Sequence, residues 1–147
     1  MDTVTDDSAL ILPLAKLETC IIIDTVQSES DLIVPKPQRT VVFYKTGSGH
    51  EPVREWLKSL TFDERKRIGK ELAKLQFYAR WPAGIAKFLV DGLWELRVSV
   101  KKGEARVLIF EDGNELILVH SFWKKTQKTP PAILKEALQR KTTYAKD

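Results

Sequence analysis

Residues 93 to 122 leave little freedom in how the chain can fold. The runs LWELRVSV (93 to 100), ARVLIF (105 to 110) and ELILVHSF (115 to 122) are rich in aliphatic and β-branched residues. Short polar connections, Lys101-Lys102-Gly103 and Glu111-Asp112-Gly113-Asn114, separate them. Links of this kind suit hairpins, so the three runs predict an antiparallel meander. Side chains alternate along a strand, which puts Trp94, Leu96 and Val98 on one face and Glu95 and Arg97 on the other, expected to be the outer, open one. Arg106 falls inside the second run. A long cation in the middle of a strand is either an edge device or a ligand contact.

The elements on either side complete an α+β pattern. RTVVFYK, residues 39 to 45, reads as a strand that ends at GSG. In HEPVREWLKSL a proline sits in the first turn, and Val53, Trp56, Leu57 and Leu60 recur at helical spacing. His50 reads as a helix-entry residue. A second helix begins at Thr61, with Glu64 three positions on as the partner of a capping box, and its stripe is Ile68, Leu72, Leu75 and Tyr78. Its other face carries Arg65, Lys66, Arg67, Lys70 and Lys74, which reads mainly as the wet side of the helix. The short link between the two helices predicts an antiparallel helical hairpin, and PPAILKEALQR predicts a C-terminal helix. The expected order is therefore an N-terminal strand, the hairpin, a three-stranded antiparallel meander and the last helix.

Charge divides the chain unevenly. Residues 1 to 38 hold seven acids and two lysines, a balance of −5, which leaves +9 for residues 39 to 147 out of the net +4. The first part reads as an acidic extension of open role, joined to the domain by PKP. A chain beginning at Lys36 is expected to fold and keep its activity. The basic surplus on the domain favours polyanionic partners; the plain alternative is a solubilising surface. Runs such as LILPLA fall short of the roughly 18 apolar residues that cross a bilayer, so no membrane partner is expected and the location is expected to be cytoplasmic. With one cysteine, Cys20, and two histidines, neither a disulfide nor a zinc site is expected. The chemistry is expected to need no metal and no cofactor.

SFWKKTQKTP, residues 121 to 130, places Lys124, Lys125 and Lys128 within five positions just after the last apolar run. Together with GLWELR, the arginine inside EARVLIF and the sequence LVHSFWKKTQKTP, the element order resembles the RelE/ParE toxin superfamily, and most closely its phage-derived, Gp49-like, HigB-type branch. The likeness runs from about Thr40 to about Lys141. It implies a RelE-like fold and a toxin of a type II toxin–antitoxin pair, typically an endoribonuclease that cuts mRNA in the ribosomal A site. It also implies a cognate antitoxin, usually with a helix-turn-helix domain. Arg97 and Arg106 match the strand positions where relatives carry cations for the substrate phosphate and the transition state.

Metal-free RNA cleavage needs an acceptor for the 2′-hydroxyl proton, cations for the phosphorane and a donor for the leaving 5′-oxygen. Arg97 and Arg106 are the candidate catalytic cations, and Lys124 and Lys128 are candidate backbone contacts along one rim. The proton carrier is open between His120, which alternation puts with Leu118 and Phe122, and Lys125, since a lysine crowded by other cations can move protons. A histidine among apolar residues is also commonly a packed one. Glu95 is either a base or the partner of Arg97, with the partner role favoured. Tyr144 falls past the expected helix. Phe122 is the candidate base-stacking ring and Trp123 its neighbour, while Trp94 reads as core. Two other classes remain: a gyrase-poisoning member of the superfamily, and an RNA-binding module with no chemistry.

Overall fold

The meander forms the centre of a five-stranded mixed sheet in a computed structural model that describes residues 37–146 apart from Ala79 and Ala83. The acidic extension lies outside the described residues up to position 36. In chain order the elements are β1 (Thr40–Phe43), α1 (Pro52–Lys58), α2 (Phe62–Leu75), β2 (Ala86–Phe88), β3 (Leu93–Val100), β4 (Gly103–Asp112), β5 (Glu115–Trp123) and α3 (Pro131–Lys146). The strand order is β1-β5-β4-β3-β2. The three meander strands pair antiparallel, as their turns dictate. β1 runs parallel to β5, with Thr40 opposite Glu115 and Phe43 opposite Leu118. The short β2 extends the opposite edge.

Local chemistry explains the helices. Pro52 occupies the start of α1 and needs no hydrogen-bond partner there. The Ser59 hydroxyl closes the end by donating to the Trp56 carbonyl at 2.6 Å. Thr61 and Glu64 form the expected capping box of α2, at 3.2 and 3.0 Å. A cap of this kind contributes about 1 kcal/mol. Ile68, Leu72 and Leu75 are fully buried, each worth about 1.5–3 kcal/mol on removal from water. Tyr78 corrects the expected stripe: α2 ends at Leu75, and Tyr78 lies beyond it with an exposed ring.

Helices cover both faces of the sheet. α1 and α2 pack on the face that presents Val41, Phe43, Leu96, Val98, Val107 and Ile109. The other face presents Leu93, Leu108, Phe110, Ile117 and Val119, and α3 covers it with Ile133, Leu134, Ala137 and Leu138. The outer face is therefore not open along its whole length, which corrects the expectation for Glu95 and Arg97. α3 also runs further than PPAILKEALQR, so Tyr144 belongs to it. There its ring stands edge-on to Phe110 and its hydroxyl donates to Glu115 at 3.0 Å. Burial, then that hydrogen bond, raise the phenol above its ordinary pKa. Among the described residues no helix is long and apolar enough to cross a membrane.

A bulge alters the register of β5. Leu108 pairs with His120 but Ile109 pairs with Leu118, so Val119 is an extra residue between them. Strict alternation would leave His120 on the side of Leu118. The bulge instead sends Leu118 into the core under α1 and α2, while Val119 packs under α3. His120, opposite Leu108, shares the α3 side with Phe122.

Candidate functional site

Beyond the cover of α3, the same sheet face carries a row of charged side chains. β3 contributes Glu95, Arg97 and Ser99; β4 contributes Glu104 and Arg106. Arg97 stands directly opposite Arg106, and Ser99 opposite Glu104. Two arginines facing each other across antiparallel strands repel unless carboxylates intervene. Two do. Glu95 Oε1 lies 3.3 Å from Arg97 Nε and 3.6 Å from Arg106 Nε, and Glu104 Oε1 accepts from Arg106 Nη1 at 3.2 Å. The Ser99 hydroxyl donates to the second oxygen of Glu104. That hydrogen bond first, then the one from Arg106, hold the Glu104 carboxyl below its usual pKa. These contacts persist at neutral pH and are lost as pH falls through the lowered value.

The members of this row differ in access. Glu95 and Arg106 are only 5% and 4% exposed, whereas the side chains of Arg97 and Glu104 are 42% and 43% exposed. The surroundings of Arg106 bear on both of its sequence alternatives. β4 is the central strand, so an edge device is excluded, and the guanidinium is a buried ion-pair member, not a surface cation. Arg97 is the arginine that reaches solvent.

The lysine segment is tied to this row at both ends. The Lys124 amide donates to the Glu104 carbonyl at 2.7 Å, which prolongs the β4–β5 ladder. At the far end the Thr129 hydroxyl donates to Glu95 Oε2 at 2.7 Å. Between them the Thr126 hydroxyl donates to the Lys128 carbonyl at 2.7 Å, and Lys124, Lys125 and Lys128 are exposed. The four charged groups of the strand cluster sum to zero, so the lysines supply the net positive charge of this corner.

The expected site residues are thus only partly brought together. Arg97, Arg106 and the lysine segment converge, and Phe122, opposite Arg106, lies beside them, half-buried against the α3 core. His120 is two pairs further along β4 and already has two partners. Its Nδ1 lies 2.8 Å from the Ser121 amide, which donates to it, and its Nε2 lies 2.7 Å from Glu136 Oε1 in α3. Arg140 braces the same carboxylate at 3.0 Å and donates to the Val119 carbonyl at 2.6 Å. Trp123 points to the other face, where its ring lies 5.5 Å from Trp56 and carries the Lys102 ammonium 4.8 Å above it. His50 sits at the entrance to α1, its ring 3.2 Å from Glu55.

Sequence reasoning missed Glu104, Ser99 and Thr129. Alternation back from Arg106 would have put Glu104 on the same face, and the Lys101-Lys102-Gly103 turn would have placed Ser99 opposite it. Thr129 left no signal, because its partner is 34 residues away.

No curated protein matches the chain. Residues 55–142, more than half of it, match the family model of the phage-derived Gp49-like proteins. The matched span begins within α1, takes in every strand of the charged row and ends in α3. The chain belongs to this Gp49-like family, a RelE/HigB-type toxin family whose members imply toxin–antitoxin pairs.

Proposed function

We propose that this toxin is an endoribonuclease that cuts mRNA in the ribosomal A site without a metal. The observation that carries the reading is Arg97, a solvent-facing guanidinium held by the buried Glu95, at the foot of a lysine segment anchored to that same carboxylate. A fixed cation beside long, exposed ones suits a phosphate that gains charge during reaction.

In the reaction the 2′-oxygen forms a bond to phosphorus as the bond to the 5′-oxygen breaks. A cyclic phosphate and a 5′-hydroxyl result. Arg97 takes the added charge on the phosphorane oxygens. Arg106 acts through Glu95, which it helps hold against Arg97, as a positioning residue. Lys124 and Lys128 bind the backbone, Phe122 offers the exposed part of its ring to a base, and Lys125 gives a proton to the leaving oxygen. Glu104 is ionised and reaches solvent, so it can accept the 2′-proton in place of His120, whose acceptor nitrogen is occupied by the Ser121 amide. A carboxylate with a lowered pKa is a weak base, so charge stabilisation by Arg97 has to supply most of the rate.

Replacing Lys124 and Lys128 together is expected to weaken ribosome binding. It should also flatten the dependence of log K on log salt by about two phosphate contacts' worth. A salt slope equal to that of the parent protein would make these lysines mere surface charge.

The partner is an antitoxin, and we assign it a helix-turn-helix domain and an acidic face towards the basic corner, since complementary charge speeds association. Primer extension on a translated message after toxin expression tests the activity. Discrete cuts in phase with codons are expected. DNA breaks with an SOS response and intact messages would identify a gyrase poison instead, and growth inhibition without either would overturn both.

A further inference from the structure

A second basic hollow, on the sheet face opposite Arg97, has no part in the site described above. It encloses about 580 Å³ beside the edge strand β2, within the range of roughly 300–1,000 Å³ that small ligands fill. Its cations are Arg39 and Arg80, since Lys87, opposite Glu95, directs its side chain to the other face, and its rings are Trp81, Phe88 and Trp94. Among the described residues lining it Glu111 is the one acid, and it is ion-paired with Arg39, so the positive charge left over is that of Arg80.

The rings form a continuous stack of edges. Trp94 meets Trp81 at 5.2 Å and Phe88 at 5.3 Å between centroids, both nearly perpendicular. Trp81 is fixed from below by its indole N–H, which donates to the Leu75 carbonyl at 3.2 Å, and from above by the Arg39 guanidinium 5.3 Å from its ring. Phe88 ends the stack and is 52% exposed on β2, the last strand of the sheet among the described residues. The exposed ring is thus backed by Trp94 and Trp81 and lies beside the guanidinium groups of the hollow.

We propose that this hollow binds a nucleotide of single-stranded RNA, with a base stacked on Phe88 and its phosphate held by Arg80. Planar bases suit an exposed aromatic ring next to guanidinium groups, and the excess positive charge suits the adjoining phosphate. The hollow is also within reach of the first site. β3, which carries Arg97, is separated from the edge of the sheet only by the three-residue β2. A strand leaving Arg97 can pass over β2 and enter the hollow. The inference rests on the ribonuclease reading for its ligand class but not for its location.

The test is anisotropy titration of a short, labelled 2′-O-methyl oligoribonucleotide, which cannot be cut, into the full chain. Phe88→Ala is expected to weaken binding roughly tenfold, within the range for one stacked base, and Phe88→Trp to retain it. Arg80→Glu should also weaken binding, and serves as the second variant should Phe88→Ala lower the melting temperature. Affinity unchanged by both substitutions, or no binding by the parent chain, would overturn the proposal. So would a Phe88→Ala variant that keeps its oligonucleotide affinity but no longer binds the antitoxin, because the hollow would then be a protein contact. Cutting of translated messages is scored separately with Arg97 on the opposite face, so failure here and failure of the ribonuclease reading are told apart.

Discussion

Arg97→Ala is expected to abolish growth inhibition and to lower message cutting by about a hundredfold or more, the loss typical of one preorganised transition-state donor. The melting temperature should hardly change. Arg97 is 42% exposed, and removing it leaves Glu95 with two partners, Arg106 and Thr129. Expression toxicity, primer extension and a thermal melt on one preparation check all three statements. Arg97→Lys keeps the charge but not the planar fork, so it should recover only part of the activity. Full toxicity in Arg97→Ala would remove the residue that carries the functional proposal.

The opposite signature is expected of Arg106→Ala. Its guanidinium is buried in the central strand between two carboxylates, and one of these, Glu95, is itself buried. Breaking a buried ion pair from one side typically costs about 3–5 kcal/mol, because the remaining charge stays desolvated. For a domain of this size that corresponds to a drop in melting temperature of about 10 °C or more. Activity falls with it, for want of folded protein and because Glu95 is no longer held in place. The pair Glu95→Gln with Arg106→Met should recover much of the stability, since it leaves neither charge uncompensated, but little of the activity. A stable and inactive Arg106→Ala would instead return Arg106 to direct contact with substrate.

These contrasting outcomes mark where the sequence could be read and where it could not. The meander was legible because glycine turns and period-two runs act locally; β3 matches the expected 93 to 100, while β4 runs two residues beyond 105 to 110 at each end. The capping box at Thr61 was legible for the same reason. The parallel pairing of β1 with β5 was not, since the choice of partner is made across more than seventy residues and leaves no local mark. β2 is only Ala-Lys-Phe, shorter than any periodic signal. α3 runs on through Lys-Thr-Thr-Tyr, where two threonines lower the local propensity and packing of Tyr144 on Phe110 overrides it. The bulge at Val119 moved His120 relative to Leu118, which an alternation argument cannot anticipate. The arginines of the site were found because mid-strand cations are conspicuous, but their different depths depend on α3 and Thr129, which arrive from elsewhere in the chain.

The parallel contact between β1 and β5 also fixes the order in which the molecule can be completed. β1 is the first element of the described domain, yet its hydrogen-bonding partner begins at Glu115, and α3, which seals the second core, comes later still. Contacts so distant along the chain pay their loop-closure entropy before they return any stability, and make folding a late event. While the chain is being made, β1 has no partner and Arg97 has no lysine segment beside it. A nascent copy therefore lacks the assembled basic corner until β5 and the lysine segment that follows it have been made.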